Sequence, residues 1–196
     1  MHYYIAGLGN PGAQYIKTRH NAGREIVLNA QSKWPNFSDW KKHSKIDLIF
    51  SEGECFDQQV TLLLPETFMN ISGPALKKYI SVLNEQTHLI VVHDDIDLPF
   101  GTIKISYDRN SGGHNGVESV INTFGTKEFV RLRVGILPLD QNGSAAKPEN
   151  EEVSDFVLGK FSLEESSKLP EIYSRTKQAL EKIISDGYVE AMNTFN

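Results

Sequence analysis

The apolar run Tyr3-Tyr4-Ile5-Ala6 passes directly into Gly7-Leu8-Gly9-Asn10-Pro11-Gly12, and an amphipathic segment, Ala22 to Ala30, follows. A buried strand, a glycine-rich loop and a helix in that order commit the chain to an α/β architecture. The glycines satisfy a dinucleotide-binding spacing, but the residues after them do not. In that motif a helix opens at the glycines and turns its first N–H groups toward pyrophosphate. Here Pro11 removes one donor, Ala13 to Arg19 lack helical periodicity, and no acidic residue ends a second strand near position 30. What the loop delivers instead is polar side chains: Asn10, Tyr15, Thr18, Arg19, His20 and Asn21. Asn10 and Asn21 are also ordinary turn and cap residues. A histidine beside a helix N-terminus is disfavoured as a cation, which suits a neutral base.

Further apolar runs predict strands at Tyr3 to Leu8, Ile46 to Phe50, Val60 to Leu64, Leu89 to His93, Ile103 to Tyr107 and Leu132 to Ile136. Helices are expected at Ala22 to Ala30, Gly73 to Leu83 and Asn115 to Phe124, with a long one near the C-terminus. Ser162-x-x-Glu165 reads as a capping box opening that last region, Pro170 as the start or kink of a second segment, and Gly187 as its end. The second and third strands lack room for a helix between them and should pair antiparallel. The expected fold is therefore a single-domain α/β sandwich, residues 1–196, with a twisted mixed sheet flanked by helices. No apolar run reaches membrane-spanning length and no leader-like pattern opens the chain, which sets the expectation of a soluble, cytoplasmic protein. The lone Cys55 can form neither an internal disulfide nor a zinc cluster.

The net charge of −5 argues at first sight against a polyanionic partner. Its distribution removes the objection. Met1 to Gly135 carries 14 basic and 14 acidic side chains, and the remaining 61 residues carry 6 and 11, so the whole excess is C-terminal. A local basic face from residues such as Lys17, Arg19, Lys41, Lys42, Lys45, Lys104, Arg131 and Arg133 remains open to nucleic acid.

Polar clusters recur where strands end, the usual place for ligand sites in such sheets. Leu62-Leu63-Leu64 leads into Pro65-Glu66-Thr67-Phe68-Met69-Asn70, before a helix that Ser72 could cap. Ile90-Val91-Val92 leads into His93-Asp94-Asp95-Ile96-Asp97. Ser111-Gly112-Gly113-His114-Asn115-Gly116 leads into another helix, with Asn115 placed to cap it. The acidic loop admits two chemistries. Asp94, Asp95 and Asp97 are oxygen ligands suited to Mg²⁺ and phosphoryl transfer, although no phosphate loop with lysine accompanies them. Alternatively, one strand-end Asp accepts the Nδ1–H of a histidine, His20 foremost, and leaves Nε2 to take a proton from water.

Taken together, these motifs resemble the bacterial peptidyl-tRNA hydrolase family. The resemblance rests on the Gly7 to Gly12 loop with Tyr15 and Thr18-Arg19-His20-Asn21-Ala22-Gly23, on Pro65-x-Thr67-Phe68-Met69-Asn70-x-Ser72-Gly73, and on His93-Asp94-Asp95-x-Asp97 with Gly101. Gly112-Gly113-His114-Asn115-Gly116, Arg131-Leu132-Arg133-Val134-Gly135-Ile136, Phe156 to Phe161 and Ala191-Met192-Asn193-x-Phe195-Asn196 extend it over nearly the whole chain. It implies a monomeric esterase that needs no metal or cofactor and cleaves the bond between a peptide and the 3′-terminal ribose of tRNA. It assigns His20 as base, Asp94 as its orienting partner and Asn10 as sitting against the base and the substrate. Asn70 and Asn115 are implied as amides meeting the peptide backbone, the water or the developing oxyanion, Tyr15, Phe68 and Met69 as apolar walls, and Arg133 with Lys104 as contacts to tRNA phosphate. Arg131, two residues away, is expected to face solvent. The chain departs from the family pattern at Ser106, where a basic residue is common, at Leu64, where a lysine is usual, at Leu137, which replaces a glycine, and at Asp108-Arg109-Asn110, which interrupts a glycine-rich segment. These touch RNA contacts and loop shape, and none touches the base, its partner or the asparagines.

Overall fold

The computed structural model describes every residue except 82, 85, 86, 140–146, 150 and 151. Its centre is a seven-stranded mixed sheet in the order β2-β3-β4-β1-β5-β7-β6. The middle four strands are parallel: β4 (Gln58–Pro65), β1 (His2–Gly7), β5 (Thr87–Pro99) and β7 (Val130–Leu137). β3 (Leu48–Cys55) runs antiparallel to β4, as the short connection requires, and β2 (Lys41–Lys42) and β6 (Ile103–Tyr107) close the two edges antiparallel. The runs Leu62-Leu63-Leu64 and Ile90-Val91-Val92 are buried on both faces of the sheet, which is why they read as continuous apolar segments without alternation.

Alternate residues feed separate cores. Ile5, Leu62, Ile90 and Val92 pack with Ile26 and Val27 of α1 (Ala22–Lys33) and with Leu180 and Ile183 of α5 (Leu163–Asp186). Ala6, Leu63 and Val91 pack with Leu76 of α2 (Ser72–Tyr79) and with Val117 and Val120 of α3 (Asn115–Phe124). Continuing that alternation along β5 sends Asp94 to the α1 face and His93 and Asp95 to the α3 face. The functional strand end is thus sorted by pleat parity before any side chain finds a partner.

Several boundaries differ from the sequence expectation for identifiable reasons. β5 runs on through the acidic residues because β7 pairs with it through Asp95 and, after a shift in register, again at Pro99. The helix expected over Gly73 to Leu83 ends at Tyr79, where Ile80 turns extended and is fully buried in the α2–α3 core; part of the expected range, residue 82, lies outside the described residues. Pro170 does not divide α5, which continues as one 24-residue helix. The carbonyl deprived of its donor belongs to exposed Ser166, while Leu169 and Ile172 on either side are buried, so packing carries the helix past the break. The Ser162–Glu165 capping box forms, and Gly187, at φ 86°, separates α5 from α6 (Tyr188–Phe195). A short helix, α4 (Val153–Leu158), and 3₁₀ turns at Ala13–Tyr15, Arg19–Asn21 and Met69–Ile71 were not foreseen.

Gly7, the first glycine of the dinucleotide-like loop, and Gly23 of α1 serve close packing. A Cβ on Gly23 would be driven into the Val92 carbonyl, 2.8 Å from its carbon, and one on Gly7 would lie 2.7 Å from the Gly23 carbonyl oxygen. These glycines therefore let α1 lie directly on β1 and β5. The Arg24 N–H donates to the Leu8 carbonyl at 2.9 Å, so a first-turn donor that a nucleotide phosphate would need is consumed by the fold. Replacing Gly23 with Ala should gain roughly 0.5–1 kcal/mol of helix propensity and lose roughly 1–3 kcal/mol to overpacking, and so lower the denaturation midpoint overall. A midpoint unchanged or raised in chemical denaturation would contradict this account of the contact.

Candidate active site

Gly23 seats the N-terminus of α1 on β5, and the preceding turn Arg19–Asn21 brings His20 against Asp94. His20 Nδ1 lies 3.0 and 3.1 Å from the two carboxylate oxygens, and Asp94 is only 2% exposed. A second imidazole reaches the same carboxylate: His114 Nε2 is 3.0 Å from Asp94 Oδ1. His114 is the N-cap of α3, and its Nδ1 accepts the N–H groups of Gly116 and Val117 at 3.1 and 3.3 Å. Its proton must therefore sit on Nε2, which donates to Asp94. A buried carboxylate without partners would be strongly destabilised, and here two imidazole N–H groups compensate it. Burial raises the Asp94 pKa, and the charges and hydrogen bonds of His20 and His114 outweigh that and hold it far below the usual carboxylate range.

The helix-end argument for a lowered His20 pKa is overturned. Burial does pull it down, but the charge and hydrogen bond of Asp94 more than offset burial and raise it above its ordinary value. His93, fully enclosed, goes the other way: burial lowers its pKa well below normal, and its Nδ1 donates to the Asp94 backbone oxygen at 2.7 Å.

Asn10 approaches from the end of β1. The side chain of Asn21 clamps its backbone from both sides, accepting the Asn10 N–H at 2.8 Å and donating to the Asn10 carbonyl at 2.9 Å. Asn21 occupies the N-cap position of α1 but does not cap it with its side chain. Asn10 Oδ1 accepts the Met69 N–H at 2.8 Å. That bond fixes the amide, and its Nδ2 has no partner among the described residues. Ser72 and Asn115, expected as caps, are instead the first residues of their helices, following Ile71 and His114.

A cleft of about 750 Å³ opens over this group. Asn10, His20, Phe68, Met69, Asn70, Asp94, His114 and Asn115 all line it, so three asparagines and two imidazoles share one cleft. Met69 is 4% exposed and belongs to the core as well as the cleft, whereas Phe68 is 56% exposed. Tyr15 does not line the cleft but stands at its rim, edge-on to Phe68 with centroids 6.4 Å apart. Lys104 and Arg133 lie outside it, facing one another across β6 and β7. Arg133 is tied back to the cleft by Asp95, whose Oδ2 it approaches at 2.6 Å. Arg131 is not solvent-facing: it is 4% exposed opposite Ser106, and burial first, then Arg133 and Arg109, lower its pKa to about 10, leaving it cationic at neutral pH.

The acidic loop does not gather its carboxylates into a cation cage. Asp94 faces the imidazoles, Asp95 holds Arg133, and Asp97 pairs with Lys147 at 2.6 Å. The tightest group of potential metal ligands among the described residues is His20, Asp94 and His114, within 4.8 Å of one another. A metal on His114 Nε2 would need that nitrogen's proton moved to Nδ1, where two backbone N–H groups already point. The donor set suits proton handling better than coordination.

This geometry coincides with a family match. The model for "Peptidyl-tRNA hydrolase" matches residues 4–196. The chain belongs to the peptidyl-tRNA hydrolase family. A peptidyl-tRNA hydrolase of Thermodesulfovibrio yellowstonii is 38% identical over 195 residues, covering 98% of this chain and 97% of that one. That of Herpetosiphon aurantiacus is 39% identical, covering 99% and 90%. The crystal structure of the Acinetobacter baumannii peptidyl-tRNA hydrolase superposes with a TM-score of 0.84 at 32% identity, covering 99% of this chain and 94% of that one. As members of this family's fold, the residues that sequence reasoning passed over are Asn21 and His114. Asn21 reads in sequence as a turn or cap residue and His114 as part of a glycine-rich segment, and only the fold shows that each uses its side chain to fix a neighbour.

Replacing Asp94 with Asn removes the charge that raises the His20 pKa and leaves burial to act. The His20 imidazole should then titrate at lower pH than in the parent, as read by NMR of its ring protons. An unchanged or higher value would remove Asp94 from this role.

Proposed function

We propose that the chain hydrolyses the ester joining a peptide, or an N-blocked amino acid, to the 3′ end of tRNA, as a cytoplasmic monomer. Membership of the family supports the activity, and no helix among the described residues is long and apolar enough to cross a membrane. The observation that carries the mechanism is the His20–Asp94 pair opening into a cleft lined by asparagine amides.

In this reading Asp94 holds the proton on His20 Nδ1 and leaves Nε2 free to take one from water. The water oxygen bonds to the ester carbonyl carbon, and the resulting tetrahedral oxyanion is met by amide N–H donors, with Asn10 Nδ2 the best fixed. Collapse breaks the bond to the ribose oxygen, and the His20 imidazolium returns its proton to that leaving oxygen. An ester has a competent leaving group, so no covalent nucleophile is required. A positioned base supplies about 10²–10⁴-fold and a preorganised oxyanion donor about 10²–10³-fold. Asparagine amides suit a substrate whose side chains vary, because they pair with peptide backbone. Phe68 and Met69, with Tyr15 behind Phe68, would form the apolar wall beside the terminal nucleotide. Arg133, oriented by Asp95, and Lys104 would meet phosphate.

The decisive assay compares an N-acetylated aminoacyl-tRNA with its free-amino counterpart, each with and without EDTA. Cleavage of the blocked ester, insensitive to chelator, is expected; tRNA binding with no cleavage would replace this reading with a noncatalytic RNA-binding one. His20→Ala should lose about 10²–10⁴-fold in kcat while retaining tRNA affinity. Because only neutral imidazole is a base and its pKa is raised, kcat/KM should fall as the pH drops through a value above 6.5.

For the phosphate contact, Arg133→Ala should weaken binding across different tRNAs and reduce the slope of log affinity against log salt by about 1. A parent-like slope would place Arg133 away from the RNA.

A further inference from the structure

Arg19 precedes the proposed base, and its side chain does none of the chemistry above. It turns away from the His20–Asp94 pair toward the segment that follows α4. Its backbone N–H donates to the Gly159 carbonyl at 3.0 Å, and its guanidinium donates from Nη1 to the Lys160 carbonyl at 2.7 Å and from Nη2 to Glu165 Oε2 at 2.8 Å. The same guanidinium lies over the Phe156 ring at 4.6 Å and the Phe161 ring at 5.5 Å. Thr18 makes an antiparallel bridge to Lys160 alongside. Glu165 Oε2 also accepts the Ser162 N–H at 2.6 Å, so one carboxylate oxygen joins Arg19 to the capping box that starts α5.

The element fastened this way forms one wall of the cleft. Val153, Ser154, Val157 and Leu158 of α4 face Asn10, His20, Met69 and Asn115 across the space a substrate would fill. Yet α4 has no buried residue, and a six-residue helix without a core face cannot fix its own position by burial. Besides the Lys147–Asp97 pair before its start, the densest contacts holding it among the described residues lie at its C-terminal end. That end is the Gly159–Phe161 strand of contacts around Arg19, where Phe156 is the one α4 side chain under the guanidinium.

We propose that Arg19 is a positioning residue that locks the α4 wall to the His20 turn, so that base and wall keep one spacing around bound substrate. The proposal rests on the hydrolytic reading for its kinetic consequence and on the contacts alone for its structural one. Lysine keeps the charge but cannot fork between Lys160 and Glu165 while lying flat on the two rings. With the wall loosened and the His20–Asp94 pair intact, the loss should fall mainly on substrate binding.

Kinetics use the unlabelled full chain; anisotropy uses the full chain in a Cys55→Ser background with a fluorescent label on Asp155→Cys, an exposed α4 position that does not line the cleft. Arg19→Lys should raise KM for N-acetylated aminoacyl-tRNA by about tenfold, the order of one charge-assisted hydrogen bond, and change kcat by no more than about threefold. Label anisotropy should fall, and the NMR titration of His20 should stay in place. Glu165→Gln should reproduce the KM rise and anisotropy loss, and it carries the test if Arg19→Lys does not fold. Parent-like KM and anisotropy in both variants would overturn the proposal, as would a loss confined to kcat or a displaced His20 titration. If the parent itself cleaves nothing, the hydrolytic reading fails, and anisotropy alone still reports whether Arg19 holds α4.

Discussion

The arrangement around the cleft depends on the buried carboxylate of Asp94. A carboxylate at 2% exposure is tolerable only if its oxygens are occupied, and the two groups that occupy them come from distant parts of the chain: His20 from the turn before α1 and His114 from the cap of α3. Each helix lies on a different face of the sheet, so the end of β5 draws the two layers together at one point. Satisfying Asp94 is at once a folding requirement and the means by which an imidazole is oriented. The same interaction raises the His20 pKa, which costs some of its neutral fraction near neutrality and makes it a stronger base when neutral.

Around that centre, fixed donors and acceptors replace flexible contacts. Asn21 holds the Asn10 backbone, Met69 holds the Asn10 side chain, and the N–H groups at the start of α3 hold His114 in a single tautomer. None of these bonds is itself reactive. They remove alternative orientations from groups that line the cleft, which is how a site built on turns keeps the precision expected of one built on regular elements.

The charged surface is arranged differently from the cleft. Asp95 and Asp97, whose proximity in sequence suggested a shared cation, are each committed to a cationic side chain, Arg133 and Lys147. The β6–β7 edge then presents Lys104 opposite Arg133, with Arg131 enclosed beneath, while the chain as a whole stays acidic. A polyanion would be met by this local sign of charge, not by the net value.

The sequence by itself determined the parts governed by neighbours along the chain. Continuous apolar runs at Leu62 to Leu64 and Ile90 to Val92 marked buried parallel strands, the short link between β3 and β4 forced antiparallel pairing, and the ordered motifs from Gly7 to Asn196 carried the family with its His20, Asp94 and asparagine set. Local rules misjudged what distant contacts override: Ile80 leaves its helix for the core, Pro170 stays within one because its flanking residues are buried, and the helix-end effect on His20 yields to the carboxylate of Asp94. Only the tertiary structure decided that Asn21 grips Asn10, that His114 shares Asp94, that Arg131 is enclosed and that Arg19 reaches the segment after α4. Each of these joins residues from different elements or loops, and their partners are fixed by how α1, α3 and α5 pack on the sheet, which no spacing along the chain encodes.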